Sequence, residues 1–294
     1  MNSKKRADDS HRPENGTLDA DEQSQASAHS SIKALVIHEI LRAEGEEELK
    51  RRLSALLWSG LAAGMSMGFS FLSLALIQSA LPAAPWARLI DSFGYTVGFL
   101  VVILGRQALF TESTLTAVLP VLVRRDWHTF YLTLRYWISV LTSNLIGTLI
   151  FAALISIPGI FSESIVASLT ATAHDAISGS FMPTFVKAIL AGWMIALMVW
   201  LLPSAKTAKI LVILLLTYIV GIGQFSHIVA GSIDCAYAVF TGHARPVEYL
   251  MGFLLPTLMG NTIGGVGMAA LLNHAPLAPD LENASSGSIE LDQE

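Results

Sequence analysis

The sequence predicts an all-α protein that lies in a membrane and crosses it six times. Three observations carry that reading. The first is composition: 53% of the 294 residues are hydrophobic and only 14% are charged, where a soluble domain carries about a quarter. The second is the set of uncharged runs. Residues 53–87, 136–162, 188–205, 210–233 and 249–279 contain no Asp, Glu, Lys or Arg, and about 20 apolar residues span a bilayer. A sixth segment, Ser92 to Val123, has the length but is cut by Arg106 and Glu112. The third is a repeat. Thr111 and His227 lie 116 residues apart, and Asn144-Leu-Ile-Gly and Asn261-Thr-Ile-Gly lie 117 apart.

The segments follow in order. Residues 1–32 hold Ser, Asp, Glu, Gln and His with few large apolar groups. They cannot bury enough surface to offset the entropy of ordering and are expected to be disordered. They also lack the apolar centre of a signal peptide, so the first span reads as an uncleaved anchor. Residues 33–52 alternate apolar Leu35, Ile37, Ile40, Leu41 and Leu49 with charged Glu46, Glu47, Glu48, Lys50 and Arg51. That pattern suits an amphipathic helix on the membrane surface, with Gly45 as a candidate break. The membrane domain is expected over residues 53–273. Its first span ends at Pro82 and carries Gly60, Gly64 and Gly68, a small-residue stripe that lets helices pack closely. The second span, within Ser92 to Val123, and the fifth, around Gly221–Gly231, are interrupted by Gly, Ser, Thr and charged residues. The third and sixth carry the two Asn repeats. The connection from Pro158 to Pro183 is rich in Ser and Ala and reads as an outward loop without chemistry. Residues 274–294 form a second loose tail, also expected to be disordered.

The flanking charges set the orientation. Lys50, Arg51, Arg52, Arg124, Arg125, Lys206 and Lys209 share one face with the termini, and Arg88, Lys187 and Arg245 flank the other. The surplus puts both termini in the cytoplasm.

Paired interrupted spans point to a substrate path at the bilayer midplane, past Thr111 and His227. A break frees backbone groups that lipid cannot satisfy, and it exposes helix N-termini that favour anions. Ser113, Thr114 and Thr116 are candidates to satisfy the freed groups at one break, and Gly221, Gly223 and Ser226 at the other. Two readings of His227 stand side by side. It is either a core histidine bonded to backbone or a proton donor on an anion path. Burial favours its neutral ring, while an approaching anion favours the charged one. A full charge in an apolar constriction is costly, and the neutral acid avoids most of that cost. Arg106 and Asp234 are further ionisable residues at membrane depth. They pair with each other, or Glu112 pairs with Arg106, or Arg106 draws anions to the path.

Other classes find no support. The one cysteine, Cys235, leaves no disulfide and no metal cluster. No phosphate-binding loop, dinucleotide fingerprint or nucleophile–base pair is visible, so no enzyme, cofactor, metal or nucleic-acid partner is expected.

Several segments together resemble the formate/nitrite transporter family, in a divergent inner-membrane branch. They are Leu109-Phe110-Thr111, Asn144-Leu-Ile-Gly147, Ile189-Leu-Ala-Gly-Trp-Met, Phe225-Ser-His227 and Pro256-Thr-Leu-Met-Gly-Asn-Thr-Ile-Gly-Gly265. The resemblance spans about residues 34–273. It implies an aquaporin-like six-span bundle with an inverted repeat and broken second and fifth helices. It implies a homopentamer with one pore per protomer, passing small monovalent anions such as formate, nitrite or hydrosulfide across the inner membrane. It assigns Thr111 as the loop threonine and His227 as the central histidine. Leu109, Phe110, Tyr95 and Phe99 become constriction residues, and Val220 takes the place of a further gate aromatic. The chain departs from the family pattern at Ala108 and Ser226, where acidic residues are usual, and at Gly192 and Gly231, where asparagines are usual. The two glycines are expected to leave room for a larger anion. Two alternatives remain open: a neutral-solute pore, although the Asn-Pro-Ala signature of water pores is absent, and a membrane scaffold that transports nothing.

Overall fold

A computed structural model describes residues 33–268, 274–277 and 279. The tail expected over 1–32, and most of that over 274–294, lie outside the described residues. The described residues form helices joined by short turns and irregular segments, without a strand. In chain order the helices are α1 (Ala34–Lys50), α2 (Leu53–Ala80), α3 (Ala87–Leu104), α4 (Phe110–Thr116), α5 (Val118–Arg124), α6 (Trp127–Ile155), α7 (Glu163–Ile177), α8 (Phe181–Leu201), α9 (Lys209–Ile222), α10 (Ile228–Phe240) and α11 (Glu248–Gly267).

Five of these, α2, α3, α6, α8 and α11, are long and apolar enough to cross a membrane. The fifth span, expected to be interrupted, is two short helices, α9 and α10. At about 1.5 Å per residue neither alone reaches the roughly 30 Å of a hydrocarbon core. Large apolar side chains such as Trp58, Ile138, Leu211 and Leu215 face outward, which suits a lipid environment better than water.

Helix α2 packs against α3 on one side and α6 on the other, and α8 packs against α11. The small residues of α2 make the contact with α6 possible: a Cβ on Gly64 would collide with the Asn144 carbonyl of α6. Asp126 starts α6 by accepting from the Thr129 N–H at 2.9 Å, an N-cap contact that supplies one missing helix partner.

Helix α1 differs from expectation at one residue. Gly45 does not interrupt it; the helix runs through to Lys50. A Cβ at Gly45 would collide with the Thr116 carbonyl at the end of α4, so the glycine serves close approach, not a bend. Arg42 bridges Glu39 and Glu46 on the exposed face, and Arg124 ties Glu46 to α5 at 2.9 Å. At the buried face His38 Nε2 meets His274 Nδ1 at 3.1 Å with the rings stacked. Burial, and then the neighbouring His274, holds the His38 imidazole below its usual range.

The Pro158–Pro183 connection is also not a plain loop, because α7 occupies most of it. Leu169 and Ala173, four residues apart, are its buried stripe.

Candidate functional site

The two breaks are built alike. Helices α3 and α9 each end in a left-handed residue, Arg106 at φ 50° and Gln224 at φ 49°. The following N–H then reaches back five residues, Gln107 to the Val102 carbonyl and Phe225 to the Val220 carbonyl, both at 3.0 Å. This closing motif usually carries glycine; here Gly105 and Gly223 precede the left-handed position instead. The chain next turns extended at Leu109 (φ −111°, ψ 129°) and at His227 (φ −110°, ψ 126°), and each residue caps a new helix. By backbone conformation His227 therefore corresponds to Leu109. Thr111 lies one step inside α4, so the equal spacing of Thr111 and His227 is not a true equivalence.

Two buried asparagines hold these breaks. Asn144 Oδ1 accepts from the Phe110 N–H at 2.9 Å, and its Nδ2 donates to the Gly60 and Ala108 carbonyls at 2.8 and 2.9 Å. Asn261 Oδ1 accepts from the Ile228 N–H at 2.8 Å, and its Nδ2 donates to the Ala188 and Ser226 carbonyls at 2.8 and 2.9 Å. Each amide thus satisfies backbone on both sides of a break and ties it to a long helix. Ser59 Oγ accepts from the Ala108 N–H at 2.9 Å. Ser113 and Thr114 donate to the Phe110 and Thr111 carbonyls within their own helix. At Ser226 the backbone carbonyl makes the contact.

Thr111 and His227 meet. Their Oγ1 and Nε2 atoms are 2.7 Å apart, and both residues are buried. The Ala230 N–H donates to His227 Nδ1 at 3.2 Å. A neutral imidazole has one donor and one acceptor nitrogen. With Nδ1 accepting, Nε2 carries the hydrogen and donates to the threonine oxygen, which leaves the Thr111 hydroxyl hydrogen free for another acceptor. Phe99 presses edge-on against the imidazole with ring centres 5.0 Å apart, and Tyr95 tilts against Phe99.

His227, Tyr95, Val220, Ser226, Gly231 and Asp234 form part of the wall of a cavity of about 150 Å³. Leu109, Arg106 and Glu112 line a second cavity of about 510 Å³. Phe110 lines neither; its buried ring turns to Trp137 on α6. The expected pairing of Arg106 with Asp234 or Glu112 is not found. Its side chain is 83% exposed and sits 3.5 Å from Glu44 of α1, because the left-handed turn swings it outward. The space expected at two glycines is not found either. A Cβ on Gly192 would collide with Asn261, and one on Gly231 with the ring of Phe253. Phe253 sits in a core with Cys235 and Tyr249 and fills the room that a missing side chain leaves. Asp175 and Thr172 of α7 also reach the smaller cavity. The Leu169–Ala173 spacing was the one sequence signal for that helix.

Residues 35–275 match the family described as Formate/nitrite transporter. The chain belongs to the formate/nitrite transporter family. Within it, the inner membrane protein YfdC of Escherichia coli is 42% identical over 251 residues, covering 85% of this chain and 81% of that one. The formate channel FocA of Haemophilus influenzae is 27% identical over 70% of this chain and 81% of its own length. Among solved structures, a pentameric formate channel with formate bound superposes with TM-score 0.64 at 20% identity, over 75% of this chain and 96% of that one. An FNT family ion channel superposes with TM-score 0.70 at 22% identity, over 81% and 97%. The chain is thus a membrane protein of a transporter family, with the helical fold of those channels.

Proposed function

We propose that this chain is a channel or carrier for small monovalent weak acids, such as formate or nitrite, in a bacterial-type inner membrane. In this reading α3 with α4 and α5 makes a broken second span, and α9 with α10 a broken fifth. The whole is an aquaporin-like six-span inverted repeat with both termini cytoplasmic. Five copies assemble, each with its own path.

The contact of Thr111 with His227, with one cavity at His227 and a second at Leu109 and Glu112, is the observation that supports this most. The free Thr111 hydroxyl hydrogen offers one donor to a small anion, and Nε2–H becomes a second when it turns from the threonine oxygen to the anion. The waist formed by Phe99, Leu109 and Val220 is buried and apolar, so a naked charge is penalised there and the neutral acid is not. His227 hands its Nε2 proton to the anion. That transfer requires Nδ1 to take a proton from the cavity, displacing the Ala230 N–H from its lone pair, because the ring would otherwise be left as an imidazolate.

Proteoliposomes test this. Formate or nitrite uptake should be faster at acidic pH, and a dye outside should report one proton removed per anion taken up. His227→Phe should lower uptake about tenfold or more; undiminished uptake removes the histidine from the mechanism. A second reading, a pore for neutral solutes, is favoured by the neutral hydrogen-bonding state of the pair. Osmotic swelling with uncharged solutes separates the two.

A further inference from the structure

Each of the two cavities carries, close to the waist in sequence, a carboxylate without an ion-pair partner among the described residues. Asp234 shares its cavity with His227 and Tyr95. It stands seven residues after His227, two turns along α10, so both side chains leave the same face of that helix. Glu112 lines the other cavity beside Leu109 and follows Thr111 directly in the chain. None of the ion pairs among the described residues includes either carboxylate.

The surrounding charges do not compensate. Facing Asp234 are Asp91 and Asp175 against Arg88 and Lys187, together with the neutral Tyr95 and the His227 ring. Arg88 acts on Asp91, and Gln224 lies 3.4 Å from Asp175. Cys235, next along α10, is turned into the core. Facing Glu112 are Glu44, Glu47 and Glu48 against Arg51, Arg106 and Lys209, with Tyr136. Arg106 is taken up by Glu44 at 3.5 Å and Arg51 by Glu48 at 2.8 Å. With Asp234 and Glu112 ionised, both approaches are net negative, the wrong sign for gathering anions.

We propose that Asp234 and Glu112 are matched carboxylate filters, one on each side of the waist. Ionised, each turns a monoanion away from the Thr111–His227 pair; protonated, each donates a hydrogen bond to the same anion and admits it. This rests on the weak-acid reading above and adds to it a selection by charge. The effect is large. An anion about 4 Å from an ionised carboxylate, at an effective dielectric constant of about 20, loses about a thousandfold in occupancy. An uncharged solute of the same size is not held back.

The test uses the full chain in proteoliposomes, with formate and formamide as probes and rates taken above those of protein-free vesicles. Asp234→Asn and Glu112→Gln keep the shape of the protonated acid without its charge. At about pH 8, where carboxylates are normally ionised, each should raise the formate-to-formamide uptake ratio about tenfold or more. The double substitution should raise it further and flatten its dependence on pH. Asp234→Glu, which keeps the charge, should keep the original ratio. Glu112→Gln stands as an independent variant if Asp234→Asn fails to fold. A ratio that falls, or that ignores both substitutions, overturns the filter and leaves the weak-acid reading intact. Absence of formate uptake by the unsubstituted chain at any pH overturns both.

Discussion

Asn144 and Asn261 show how much one side chain can carry in a dry interior. Each is fully buried and makes three hydrogen bonds to backbone. Asn261→Ala would strand the Ile228 N–H and two carbonyls, at a cost of about 2–4 kcal/mol. Thermal unfolding in detergent should show a clear drop in midpoint, and an unchanged midpoint would mean that water or another residue already serves these groups. Thr111, His227 and both asparagines were legible in the sequence, because a polar residue inside an apolar run is conspicuous. Their partners were not. Arg106 stood in one segment with Glu112 and was matched to Asp234 in another, yet it meets Glu44 of a different helix. Only the left-handed turn decides that, and no local pattern announces a left-handed arginine. Gly231 was misread for a similar reason, since the ring that fills its space comes from α11.

At the scale of elements, α1 is the part whose attachment should respond to pH. His38 and His274 are in contact and buried, and both imidazoles are held below the usual 6.5, chiefly by burial. The undocked rings therefore bind protons before the docked ones do, and docking weakens as pH falls below about 6.5. Hydrogen-exchange protection of α1 should drop between about pH 7 and pH 5, and His38→Gln should remove that difference. Protection that is constant across the range would show that the rings do not hold the helix. Helix α1 was legible from its alternation of apolar and charged residues. It hid the role of Gly45, because close approach and a helix break use the same residue. It hid α7 because Ser and Ala dominate that connection and only a short stripe is buried.

For the whole molecule, four of the uncharged runs foretold long helices directly, since length and apolarity are what the bilayer demands, whereas 210–233 became α9 and the start of α10, and α3 came from the segment that carries charges. The interrupted segments were harder. Apart from α3, their pieces are too short to register as crossings, and composition alone does not say where a helix stops. What lies between the halves depends on hydrogen bonds from α6 and α11, distant in the chain. Large apolar side chains are exposed on α2, α3, α6, α8, α9 and α11 alike. Native mass spectrometry in mild detergent should find five copies of the chain together, as the pentameric reading requires, and a monomer would sink that reading.

The asparagine staples have a consequence for how such a protein can change over generations. They anchor the breaks from behind, through main-chain atoms, and neither amide depends on which side chains border the cavities. Replacement of a bordering residue, such as Ser226 or Asp234, therefore leaves the scaffold's fastening untouched. A lineage keeping both staples is free to rewrite its preferences one position at a time.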